Sequence, residues 1–348
     1  MKRKILLMIA LIIAISCEKN TSSRNLETVT IQEFKMDDVS IRAIQIMTKN
    51  KIVYAGSNGH VGDFTDRKEA TSSMIKIKYQ DSLIPNFRSI AFNGSDYFVL
   101  SVGNPALLYK VSENKATLVY KESHQKIFYD SMQFFEDQLH GIAVGDPTEN
   151  CASIIVTADS GKTWNKIPCS KLPIFEENEA FFAASNTNIK TIGSTVWIAS
   201  GGKKARILKS EDYGATWEIF DTPIIQGNGP QGIYSIDFAN KNNGIIMGGD
   251  YSKPLENTAN KAITTDGGKT WKLVANRENP NYKSCVQYVP NTKGKEIFAV
   301  GKTGISFSND GGYSWKEISE EAYYSIQFLD NNTAWLSGNN KIGKMILN

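Results

Sequence analysis

The side chains with the widest chemical reach in this chain are four carboxylates, Asp130, Asp146, Glu179 and Asp250. Two such groups facing one glycosidic bond would act as general acid and as base or nucleophile, the chemistry of most glycoside hydrolases. Nothing nearby completes a metal, nucleotide or nucleophile motif. The histidines His60, His124 and His140 have no ligand spacing, and the chain has no CxxC, HExxH or Gly-x-Ser-x-Gly, and no Gly-x-Gly-x-x-Gly opening a helix after a strand. No metal and no cofactor is therefore expected.

The elements that must position these groups are written in a repeat. TADSGKTW (157–164) recurs as SEDYGATW (210–217), TTDGGKTW (264–271) and SNDGGYSW (308–315). Its aspartates, Asp159, Asp212, Asp266 and Asp310, lie 53, 54 and 44 residues apart, a period that points to a repeat architecture. A tight turn between two strands needs a residue tolerant of positive φ, supplied by Gly161, Gly214, Gly268 and Gly312. The Asp carboxylate can accept backbone N–H groups inside the turn, and Trp164, Trp217, Trp271 and Trp315 can lie over the hairpin. The frame resembles the Asp-box, or BNR repeat, of sialidases and related β-propellers. In those families it sits at the periphery, so the resemblance implies a structural role for these residues.

A second element recurs beside it. Seven short segments end in small residues and Gly, among them VYAGSNG (53–59), GIAVGDP (141–147) and GIIMGGD (244–250), and most follow a strand-like run such as FRSIAF, AFFAAS or IYSIDF. Strand, turn, Gly-bearing strand and hairpin then predict an all-β, seven-bladed propeller of four-stranded antiparallel blades. The last unit is short by one strand, which ETVTIQEF (27–34) can supply to close the ring and remove the exposed edges. A six-bladed ring or an open array is the alternative.

The N-terminus predicts export. Lys2, Arg3 and Lys4 precede an apolar run, Ile5 to Ile15, too short to span a bilayer comfortably, and Ala14-Ile15-Ser16-Cys17 resembles the lipobox of bacterial lipoproteins. The expected organisation is a signal peptide over 1–16, a lipidated Cys17 and flexible tether over 17–26, and one propeller over 27–348, outside the cytoplasm on the periplasmic or cell-surface face of a membrane. In an oxidising compartment Cys151 and Cys169 can form a disulfide. If the hairpin turns around Asp159 and Ser160, paired positions sum to about 320, and a register slip of one residue would separate the two thiols. Net charge is only +3 and there is no dense basic run beyond the extreme N-terminus, which argues against nucleic acid.

In propellers the starts of the innermost strands, and the loops after the second strands, meet at one mouth of the channel. Repeat alignment places Arg42, Arg88, Asp130, Tyr234, Lys283 and Tyr324 in the first group, and Asn58, Asn104, Asp146, Lys203, Asp250, Tyr251, Lys253 and Lys302 in the second. Such a funnel can hold a protein or peptide partner, with Arg42, Arg88 and Lys283 on its acidic groups and Tyr234 and Tyr324 as stacking surface. It can also be a water-filled channel lined by Arg–Asp pairs such as Arg88 with Asp130. GNPALLYK, HGIAVGDP, the AFFAAS segment, WIASGGKKARILKS and GGDYSKP make the chain similar to the bacterial propellers grouped with photosystem II stability and assembly factors. That resemblance implies a non-enzymatic propeller holding protein partners during assembly at a membrane, attached through its lipid alone. The alternative is a carbohydrate-active enzyme or glycan binder. Among enzymes a glycoside hydrolase fits better than an oxidoreductase, although the Arg-Ile-Pro signature of sialidases is missing.

Overall fold

The computed structural model describes residues 23–67, 70–113 and 115–348. The expected signal peptide and Cys17 lie outside these residues.

The described chain is an all-β propeller, and the number of blades needs correction. Six sheets form, not seven. Four have four strands, beginning at Phe87–Phe92, Tyr129–Phe134, Ile189–Ile192 and Cys285–Tyr288, and two have six. The missing separate sheet is explained by one strand, Val29–Thr48, which continues through an irregularity between Lys35 and Ser40 where its pairing register shifts. Its first half pairs antiparallel with Thr333–Leu347, Val29 opposite Leu347, and its second half pairs with Lys51–Gly56. The last and first units are thereby one continuous sheet. The closure is reinforced by residues expected to be a tether. Arg24 donates from Nη2 to Glu296 Oε2 at 2.5 Å and from Nη1 to Asn332 Oδ1 at 2.9 Å, while Leu26 is buried among Phe298, Leu336 and Leu347.

The ring is also clasped from inside. An innermost strand has no neighbour on its channel side, so its N–H groups need other partners. Gln327 Oε1 accepts Ile46 N–H (2.7 Å), Gln287 Oε1 accepts Phe328 N–H (2.8 Å) and Asp237 Oδ2 accepts Tyr288 N–H (2.7 Å). The middle positions of IQF, VQY and IDF thus each carry one link of a circumferential chain.

The four Asp-box hairpins share one geometry. In the third, Thr270 donates to Asp266 from its N–H (3.0 Å) and hydroxyl (2.6 Å), Thr264 Oγ1 donates to Asp266 Oδ1 and receives Gly268 N–H, and Gly268 sits at φ +85°. Trp217, Trp271 and Trp315 each donate Nε1–H to the turn glycine's carbonyl. Trp164 instead packs edge-on to Phe98 and Phe134, and its Nε1–H has no partner. Burial raises the Asp266 pKa, but the hydrogen bonds from Thr270, Thr264 and Lys269 outweigh it and bring the group down to about 2. Its stabilisation is therefore present above the ordinary Asp value and lost as pH falls through about 2. Asp266→Ala should cost about 1–2 kcal/mol at pH 7, read as a lower urea midpoint with unchanged slope.

Cys151 and Cys169 are joined, with Cα atoms 5.6 Å apart. The strands between them pair one residue off the expected register, Ile155 opposite Lys166, and the bridge is reached because Cys169–Lys171 turns as a short 3-10 helix. Cys285 is a buried free thiol.

Candidate ligand-binding funnel

A cavity of about 500 Å³ opens at the mouth where the inner strands begin. Its polar lining comes from Arg42, Arg88, Asp146, Lys302 and Tyr324, and its apolar lining from Phe128, Phe182, Tyr234, Tyr251 and Tyr282. The two arginines start neighbouring inner strands. Arg42 lies over the Tyr324 ring, 4.1 Å from its centroid, and donates to Ala184 O at 3.2 Å. Arg88 reaches Ala183 O at 3.5 Å, and its Nε–H is buried without a partner. Burial, and then the proximity of Arg42, lower the Arg88 pKa. Two guanidiniums close enough to repel, each with N–H groups to spare, make a receptor for anionic oxygen.

The aromatic wall is ordered by stacking. Phe182 lies parallel to Tyr234 with centroids 4.0 Å apart, and Tyr282 meets Tyr234 edge-on at 4.9 Å. Tyr234 donates its hydroxyl to Pro230 O at 2.7 Å, and burial raises its pKa far above the usual tyrosine value. It presents a ring, not an acid. Tyr251 stands at the rim, 50% exposed, and Lys302 donates to the Tyr251 carbonyl at 2.6 Å.

Four of the residues expected at the funnel sit elsewhere or act differently. Lys283 is fully buried and points away from the cavity, donating to Thr303 O and Gly304 O at 3.0 Å, with burial lowering its pKa to about 8. Lys283 precedes the strand Cys285–Tyr288, and its neighbours Tyr282 and Ser284 line the cavity in its place. Lys302 is the cation that faces the mouth. Asp250 is buried, its Oδ1 accepting the N–H and hydroxyl of Ser252. Glu179 is held by Arg206, Nε to Oε1 at 3.0 Å and Nη2 to Oε2 at 2.5 Å, with Ser200 donating to Oε1 at 2.7 Å. Asp130 is fully buried behind the cavity with neither oxygen hydrogen-bonded, and it forms no ion pair with Arg88. Burial and the neighbouring Asp146 hold its pKa well above the carboxylate range. Asp146 alone among the four candidate carboxylates lines the cavity; it accepts Phe181 N–H at 2.8 Å, and burial raises its pKa to about 6. The two facing carboxyls that glycoside hydrolysis requires are not assembled here.

The AFFAAS run is a further correction. Only Glu179–Ala180 is strand; the chain then crosses the channel without regular structure, and Ile189–Ile192 takes the inner-strand position. Phe182, Tyr282 and the carbonyls of Ala183 and Ala184 went unread in the sequence. The adjacent Phe181-Phe182 pair, which breaks strand alternation, was the available signal.

With the hairpins and cavity defined, the comparisons with known proteins fall into place. The BNR/Asp-box repeat pattern matches residues 262–273, which hold Asp266, Gly268 and Trp271. The chain carries a BNR/Asp-box repeat. No curated protein sequence matches it. The chain is similar in structure to "YCF48 bound to D1 peptide", with a TM-score of 0.65, 13% identity, and coverage of 93% of this chain and 98% of that one. It is likewise similar to U3-55K, with a TM-score of 0.64, 11% identity, and coverage of 91% and 98%. The WD40 repeats of RRP9 match with a TM-score of 0.65 and 10% identity over 93% and 100%. At such identities the likeness establishes the propeller fold.

Proposed function

We propose that this protein is a membrane-anchored, extracytoplasmic propeller that binds an acidic, aromatic-bearing peptide segment of a protein partner in its funnel, as a binding or assembly factor. The observation that carries this reading is the cavity's composition: Arg42, Arg88 and Lys302 beside a stacked Phe182, Tyr234 and Tyr282 wall. Paired guanidiniums recognise carboxylates, and flat aromatic surface takes an apolar or aromatic side chain at little entropic cost. Support also comes from a similarly folded protein whose structure is described as bound to a D1 peptide. The anchor in this reading is the lipidated Cys17, exposing the funnel on the periplasmic or cell-surface side.

The test is a titration of the full chain in mild detergent with the probe acetyl-Glu-Phe-Glu-amide, against its Lys-for-Glu counterpart. Saturable binding of the acidic probe alone supports the proposal, and equal binding of both or of neither refutes it. Asp146 adds a pH signature. Its contribution to stability is fully present below the unfolded value of 3.8 and lost as pH rises through about 6, because the folded state keeps a proton the unfolded chain releases. The same ionisation places a negative charge beside the ligand. Affinity for the acidic probe should therefore increase about fivefold from pH 7 to pH 5, and Asp146→Asn should show the tighter value at both. An unchanged pH profile in Asp146→Asn would assign the effect to another group.

A further inference from the structure

The segment Phe181–Thr187 does what a bound peptide would do. It crosses the channel and exchanges hydrogen bonds with five other inner-strand segments. Arg42 and Arg88 donate to Ala184 O and Ala183 O. Asn186 uses both ends of its amide, Oδ1 accepting Met132 N–H at 2.9 Å and Nδ2 donating to Ile90 O at 2.8 Å. Ser185 donates to Ser284 O at 2.7 Å, Thr187 Oγ1 meets Ser235 Oγ at 2.7 Å, and Ile236 N–H donates to Thr187 O at 2.8 Å. Its first half, Phe181 to Ala184, lines the funnel, and its second half, Ser185 to Thr187, lines a separate polar well of about 220 Å³ below. The channel is thus divided in two.

We propose that Phe181–Thr187 is a built-in floor that fixes the Arg42 and Arg88 guanidiniums for the ligand, and that Asn186 is the positioning residue anchoring it. Three observations join here. The carbonyls of Ala183 and Ala184 each engage Nη1 of an arginine, and the Nη2 groups are left for the funnel, while Arg88 Nε–H stays buried. These two cations repel, so without a fixed acceptor apiece they would swing apart. Asn186 sits at φ +62°, a conformation Asn tolerates better than most residues, and its amide spans two neighbouring inner strands. Side chain and backbone are therefore both fitted to this one position. Asn186 lines the lower well and not the funnel, so its effect on a funnel ligand must pass through the floor.

This inference rests on the peptide-binding reading, and the test separates the two. The variant is Asn186→Gly, which keeps the positive φ and removes only the amide; Asn186→Ala adds backbone strain for comparison. The ligand-free readouts are hydrogen exchange of the Met132 amide and the 15N–1H signals of Arg42 and Arg88 Nε in the perdeuterated full chain. The ligand readout is the dissociation constant of acetyl-Glu-Phe-Glu-amide. Expected in Asn186→Gly are about tenfold faster Met132 exchange, shifted or broadened Arg Nε signals, and about tenfold weaker probe binding. Unchanged Arg signals, or probe affinity within about twofold of wild type despite faster Met132 exchange, would overturn the floor. If the wild type fails to bind the probe, the peptide reading fails, and the floor's hold on the arginines is still decided by the Met132 and Arg signals.

Discussion

Reversing Arg42 and Arg88 to Glu together should abolish partner capture from detergent-solubilised membranes and weaken acidic-probe binding by at least about 100-fold, with the melting temperature nearly unchanged. The arithmetic follows from two charge-assisted contacts, each contributing about 1.5–3 kcal/mol, replaced by like-charge repulsion. Stability should be spared because each guanidinium is only half-buried, and their intramolecular acceptors are the carbonyls of Ala184 and Ala183. A large fall in melting temperature, with binding lost only in proportion, would make the pair a structural clasp of the channel. Arg88 carries more of that risk, since it is the one whose Nε–H is buried.

Removing the Cys151–Cys169 bridge should produce the largest loss of stability. The bond closes a loop of 18 residues, for which the entropy of the unfolded chain predicts about 3 kcal/mol, or a melting temperature lower by about 5 °C in a chain of this size. The loss should reach the funnel as well. Both cysteines pack in the cluster that holds Leu172, Phe175 and Phe181, and Phe181 N–H donates to Asp146 in the cavity wall. Cys151→Ser/Cys169→Ser, compared with wild type with and without reductant, should give one shared, lower melting temperature for the variant and the reduced wild type. Equal stability of all four samples would show that the bridge contributes nothing.

What was legible in the sequence follows from how local each signal is. The Asp-box turns could be read to the residue, because Thr264, Asp266, Gly268 and Thr270 satisfy one another within seven positions. Arg42, Arg88 and Tyr324 line the cavity at positions that repeat alignment transfers from unit to unit. Lys283 shows where that fails: it lies in the irregular approach to Cys285–Tyr288, its side chain is buried on backbone carbonyls, and Tyr282 and Ser284 line the cavity instead. The number of sheets depended on whether Val29–Thr48 breaks or continues near residues 35–40, a tertiary outcome with no period to betray it. AFFAAS looks like its sister strands in composition, yet hydrogen bonds from Phe181–Thr187 to five other segments hold this stretch across the channel, and none of those partners is near in sequence.

The central claim, that the partner docks at the funnel, is tested most directly by site-specific photo-crosslinking in membranes. A benzophenone side chain would replace Tyr251 at the funnel rim or, as control, Tyr313 in the last Asp-box hairpin; the two are 50% and 56% exposed. The account predicts a discrete crosslinked protein from position 251, lost when Arg42→Glu/Arg88→Glu is added, and none from position 313. The same adduct from position 313 alone, or an adduct at 251 that survives the charge reversal, would contradict it.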